Sequence, residues 1–176
     1  MNLKHLKTPL HRYTFTAPKI RAWVVDRAQG FTLNLFAGPT VLSCDSVRND
    51  LNPDAPADYH LDALEFSRTW TGRRFNTIIV DPPYSYRKSM EKYEGRVASP
   101  FRQLKDALVS ILAPGGQVIT FGYHSISMGA SRGFLVKEVL VMSHGGAIHD
   151  TIATIEYKGE QWNTKQKTIK LRDDRS

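Results

Sequence analysis

Apolar positions along the chain fall into short continuous or alternating runs, separated by polar stretches that carry glycine and proline. The most continuous apolar run, Ile78-Ile79-Val80 within Phe75–Tyr84 (FNTIIVDPPY), is β-branched, reaches Asp81 and is stopped at once by Pro82 and Pro83. A run without polar alternation predicts a strand buried on both faces, as in a parallel sheet. Proline cannot donate to a sheet ladder, so the strand must end there. In Gly30–Gly38, Phe31, Leu33 and Leu35 alternate with Thr32 and Asn34 before turning at Phe36-Ala37-Gly38. Val47–Pro53 reads as a short strand ending in Asp50, and Gln117–Phe121 as another. Phe134–Ser143 and Asp150–Tyr157 are two strands joined across Gly145-Gly146, close enough that they must be antiparallel.

Helical spacing alternates with these strands. Ile20, Trp23 and Val24 make one face of a helix over Lys19–Asp26, with Pro18 in its first turn. A short helix follows Asp62 and runs to Trp70. Phe101, Leu104, Leu108, Ile111 and Leu112 mark an amphipathic helix from Pro100 to Leu112, ended by Ala113-Pro114-Gly115-Gly116. Strands alternating with helices predict a single α/β domain, Rossmann-like, with a mostly parallel sheet and an antiparallel C-terminal hairpin strand. The domain is expected over residues 1–158, with 159–176 a basic, flexible tail. Residues 1–12 are polar without a period and are expected to be a flexible arm; Arg12–Phe15 reads as a short strand. Asp50 follows Gly38 by only twelve positions, near the minimum for a crossover, and Pro39–Cys44 reads as extended or a single turn. The first crossover helix is therefore expected to be cut down or missing.

Composition narrows the classes. With 176 residues and 41% hydrophobic content, the chain can build one real core. The single cysteine, Cys44, forbids an internal disulfide and a cysteine-based zinc site, which suits a reducing cytoplasm. The six histidines show no metal-ligand spacing, and no metal is expected. No run is long enough for a signal peptide or a membrane span, so no membrane partner is expected. The net charge of +7 is uneven: Arg68–Lys105 holds nine bases against three acids, flanking Asp81. That concentration points to a polyanionic partner, DNA or RNA. Asp45–Glu65 is the reverse, with six acids and one base, Arg48.

The end of the Phe75–Val80 strand carries a specific chemistry. Open α/β sheets bind ligands at the carboxyl ends of their strands. An exocyclic amino group on a nucleobase is a poor nucleophile, because its lone pair is delocalised into the ring. Asp81 can accept one hydrogen bond from such a group and the Pro82 carbonyl another. Tyr84 can stack on an extruded base, and Pro82-Pro83 makes the turn rigid.

Asp81-Pro82-Pro83-Tyr84 resembles motif IV of the S-adenosylmethionine-dependent amino-methyltransferases, whose signature is [DNS]-PP-[YFW]; the DPPY form looks most like the adenine-N6 enzymes. Phe36-Ala37-Gly38 resembles that family's motif I, LDLFAGxG, with Asn34 in place of the acid and Thr40 in place of the second glycine. The resemblance implies the methyltransferase fold and S-adenosyl-L-methionine as cofactor, bound by Phe36, Ala37 and Gly38. It also implies Asp50 on the ribose, and Asp62 with Ala63 at the adenine edge. Asp45 and Asp54 are the substitutes should the register differ. A segment before motif I would lie beside the methionine end, with Thr16 and Lys19 as its candidates. Ser85–Ser99 is read as a loop whose Arg87 and Lys88 grip phosphates and whose Tyr86 and Tyr93 could stack bases. His124, at the end of the Gln117–Phe121 strand, is a candidate contact for the target base. The implied activity is methylation of an exocyclic amino group, foremost adenine N6 in DNA or RNA. The alternatives are RNA guanine N2, a protein glutamine, and a non-catalytic nucleic-acid-binding relative. The chain has little room for a target-recognition domain, so a specificity-giving protein partner is among the expectations.

Overall fold

The computed structural model describes residues 1–82, 100–146 and 149–159. Seven strands form one sheet in the order β1-β6-β7-β5-β4-β2-β3. They are β1 (Asn2–Lys7), β2 (Thr32–Asn34), β3 (Val47–Arg48), β4 (Phe75–Val80), β5 (Leu112–Gly122), β6 (Phe134–Ser143) and β7 (Thr151–Lys158). Among the described residues, three α-helices accompany them: α1 (Pro18–Arg27), α2 (Ala63–Thr69) and α3 (Pro100–Ile111). β3, β2, β4 and β5 run parallel to one another, and β7 lies antiparallel between β5 and β6. This is the Rossmann-like α/β architecture that the alternation of patterns predicts, with the hairpin strand at its expected place.

Two apolar cores follow from the two faces of the central strands. Ile78, Val80 and Val118 point to one side, where Phe66 of α2 and Leu104, Leu108 and Ile111 of α3 cover them. Each such side chain contributes about 1.5–3 kcal/mol by leaving water. Ile79, Ile119 and Phe121 point to the other side, against Ile20, Trp23 and Val24 of α1. No helix connects β2 to β3. Leu42, from the extended segment between them, is buried in the second core. The cut-down crossover expected from the short spacing is thus what the chain adopts, with one leucine filling the space.

Three expectations are corrected. Residues 1–12 are not wholly a flexible arm, because Asn2–Lys7 pairs in parallel with Glu138–Ser143 of β6. An edge strand held by its backbone needs no apolar alternation, and Lys4 and His5 add contacts to Glu138 (3.5 Å) and Ser143 (2.7 Å). Arg12–Phe15 is not a strand; Thr14–Thr16 forms a 3₁₀ turn. The Ala113–Gly116 stretch does not separate α3 from β5, since β5 begins at Leu112 and absorbs it as a register shift against β4.

Candidate cofactor and active site

A cavity of about 400 Å³ opens at the carboxyl ends of β2, β3, β4 and β5. That volume lies within the range of small-molecule and cofactor sites. On one wall, β2 ends in Leu35-Phe36-Ala37-Gly38. Gly38 has φ +57°, in the left-handed region that disfavours a side chain. Its N–H donates to Asp50 Oδ2 at 2.7 Å, and the Ala37 N–H donates to the Asn49 carbonyl at 3.0 Å. The turn is thereby fastened to the end of β3.

Asp50 stands two residues past β3 and lines the cavity. Its other oxygen accepts from the Asn52 N–H at 2.9 Å. A carboxylate has about four lone-pair directions, so both oxygens keep capacity for a ligand. Asp62 also lines the cavity, and it caps α2 as well, with Oδ1 accepting from the Leu64 and Glu65 N–H groups at 2.9 and 3.2 Å. Ala63 is buried beside it on the same wall. Asp81 directly follows β4, whose last residue Val80 pairs with Thr120 of β5, and Asp81 and Pro82 complete the cavity rim.

The structure therefore brings Phe36, Ala37, Gly38, Asp50, Asp62, Ala63, Asp81 and Pro82 to one cavity. Three candidates are not brought there. Lys19 is exposed on α1, one residue from the buried stripe, and Thr16 is exposed with its hydroxyl donating to the Tyr13 carbonyl at 2.7 Å. His124 is exposed past the end of β5 and lines a separate small crevice with Phe101 and Lys105. Pro83, Tyr84, Arg87 and Lys88 lie outside the described residues, as do Tyr86 and Tyr93. Of the two substitutes, Asp54 lines the cavity, whereas Asp45 is buried in an ion pair with Arg48.

Several site residues carry no signal in the sequence. Pro9 to Phe15 form a cavity wall, because β1 anchors the chain at the far sheet edge and the segment must cross the strand ends to reach α1. His144 closes that wall: its Nδ1–H donates to the Thr8 carbonyl at 3.1 Å, and in the neutral ring Nε2 accepts from the Thr151 hydroxyl at 2.8 Å. Asn49 is 1% exposed and knits the acid-rich wall, donating to the Leu35 and Leu61 carbonyls and accepting from the Leu61 N–H. Among the described residues no cluster of His, Cys, Asp and Glu could hold a metal ion, and no helix is long and apolar enough to cross a membrane.

The cavity and the sheet define an α/β protein of the Rossmann-like methyltransferase fold. Comparison with solved structures bears on this. The N-methyltransferase NodS from Bradyrhizobium japonicum WM9 has a TM-score of 0.58 at 16% identity, covering 86% of this chain and 100% of that one. NodS in complex with S-adenosyl-L-homocysteine has a TM-score of 0.51 at 14% identity, over 80% and 84% of the two chains. TrmN from Thermus thermophilus has a TM-score of 0.56 at 15% identity, over 84% of this chain and half of that one. At these identities the likeness is one of fold. No family model matches the chain, and no curated protein matches it.

Proposed function

We propose that the chain is an S-adenosylmethionine-dependent methyltransferase acting on an exocyclic amino group of a nucleobase in DNA or RNA, foremost adenine N6. One observation carries the reading. Asp81 and the Pro82 carbonyl, acceptors suited to an amino group, lie on the rim of the same cavity whose other wall has the donors and acceptors that suit the cofactor.

The residues present fit that cofactor. Asp50 can take ribose hydroxyls, and Leu35, Phe36 and Leu61 offer apolar surface to an adenine ring, with Asp62 at its edge. Asp50, Asp54, Asp62 and Asp81 also make the cavity favourable to a cationic ligand. Arg12, on the opposite wall, suits a carboxylate. When bound, S-adenosylmethionine supplies an electrophilic methyl group on a sulfonium. Asp81 and the Pro82 carbonyl then orient the amino nitrogen in line with it, and Asp81 holds the developing positive charge. Tyr84 stacks on the target base, and Arg87 and Lys88 hold its phosphates. The excess of bases around Asp81 supports a nucleic-acid partner. The domain spans residues 1–158, and a reducing cytoplasm suits the free Cys44.

The test is transfer of labelled methyl from S-adenosylmethionine to DNA and to RNA, followed by nucleoside analysis. Label in N6-methyladenosine or its deoxy form supports the reading. Label in N2-methylguanosine keeps the mechanism and replaces the base. Absence of label on either polymer, together with absence of cofactor binding, contradicts it.

A further inference from the structure

In a strand–helix–strand crossover the helix satisfies its own carbonyls and holds the preceding turn in place. Here Gly38 to Ser46 has no helix, so those carbonyls need other donors. Arg48, 6% exposed on β3, supplies them from a single guanidinium. Nη2 donates to the Gly38 carbonyl at 3.0 Å, Nη1 to the Thr40 carbonyl at 2.9 Å, and Nε to the Pro56 carbonyl at 2.6 Å. Nη1 also pairs with the buried Asp45 carboxylate. Asp45 in turn accepts from the Leu42 N–H at 3.0 Å and from the Asn34 side-chain amide at 3.2 and 3.3 Å.

The consequence reaches the cavity. Gly38, Pro39 and Thr40 line it on one side; Asp54 and Ala55, next to Pro56, line it on another. One rigid, planar fork therefore ties together the two loops that bound this end of the site, while Arg48 itself does not line it. Only arginine offers that many donors in a fixed plane, and the buried charge is compensated by Asp45 and three carbonyls, so it is not stranded.

We propose that Arg48, clamped by Asp45, is a positioning residue for the cofactor: it replaces the absent crossover helix in setting the separation of the Gly38–Thr40 and Asp54–Pro56 loops. The proposal rests on the cofactor reading above. A clamp that preorganises an empty site acts on affinity rather than on the chemical step.

The experiment uses the full chain with S-adenosylhomocysteine as the probe, in wild type and Arg48→Lys. Lysine keeps the charge beside Asp45 and loses the fork. The expected result is a folded variant whose Kd for S-adenosylhomocysteine rises about tenfold or more. Its KM for S-adenosylmethionine should rise alongside, with kcat nearly unchanged. A folded variant with unaltered Kd overturns the proposal. Should the variant fail to fold, hydrogen exchange of the ligand-free wild type decides. A protected amide at Leu42, which donates to Asp45, supports a preformed clamp, and exchange at the unprotected rate overturns it. Failure of wild type to bind S-adenosylhomocysteine would instead count against the cofactor reading, while exchange at the Leu42 amide still reads the clamp.

Discussion

At the scale of residues, the proposed chemistry rests on Asp81. It touches the cavity directly after β4, whose last residue Val80 pairs with Thr120. Asp81→Ala is expected to retain S-adenosylhomocysteine affinity within a few-fold and to lose about 10²- to 10³-fold in methyl transfer, measured by titration and by label incorporation. Cys44 offers a second reading at this scale. Burial, and then the neighbouring Asp45 charge, push its thiol up to about 11. At pH 8 only roughly one molecule in a thousand carries the reactive thiolate. Alkylation by iodoacetamide should therefore be slow at pH 8 and accelerate steadily toward pH 11. Fast alkylation at pH 8 would show that the segment around Leu42 opens.

At the scale of elements, the N-terminal strand and α1 are joined through one buried acid. Glu138 of β6 accepts from Trp23 Nε1 at 2.8 Å and from Arg27 Nε at 2.6 Å, with Lys4 of β1 at 3.5 Å. Burial works against its charge, but the hydrogen bonds from Arg27 and Trp23 and the charges of Arg27 and Lys4 outweigh it and hold the carboxyl below the ordinary glutamate value. A carboxyl depressed in the fold stabilises it fully above the ordinary range, and that contribution is lost as pH falls through the lower, folded value. Urea midpoints should accordingly fall below about pH 4, and Glu138→Gln should flatten this dependence while lowering stability at neutral pH. β1 has a further consequence. Deleting residues 1–7 removes the anchor from which Pro9–Phe15 reach the cavity wall. S-adenosylhomocysteine affinity should weaken several-fold while circular dichroism still reports the central sheet.

This is also where the sequence was silent. The strands β2, β4, β5, β6 and β7, and the helices, were legible because their periodicity is local. Phe75–Val80 announces burial on both faces whatever its neighbours are. β1 was not legible, since Leu3 is exposed and the strand is held by backbone bonds to a partner more than a hundred residues away. For the same reason the Pro9–Phe15 wall and His144 were not found, as they meet only after β1 docks. Lys19 is not brought to the cavity because helical phase turns it to solvent beside Ile20. The positions of Asp50, Asp62 and the Phe36–Gly38 turn at the strand ends were legible because those ends are fixed by the same local pattern that makes the strands. Asp45 was legible only as a substitute for the cofactor acids and Arg48 only as the one base of an acidic stretch, and only the missing helix gives them this work.

At the scale of the whole molecule, one sheet gathers an acid-rich wall at the ends of β2 and β3 and the start of α2, and the Asp81–Pro82 rim after β4, around a cavity of about 400 Å³. The claim on which the rest depends is that this cavity takes S-adenosylmethionine. The most direct measurement is calorimetric titration of S-adenosylhomocysteine into the full chain, beside Asp50→Ala. Saturable one-to-one binding, weakened about tenfold or more in the variant through loss of the ribose acceptor and of the Gly38 tether, is the predicted result. An absence of binding by folded wild type, or identical affinity in the folded variant, would contradict the account.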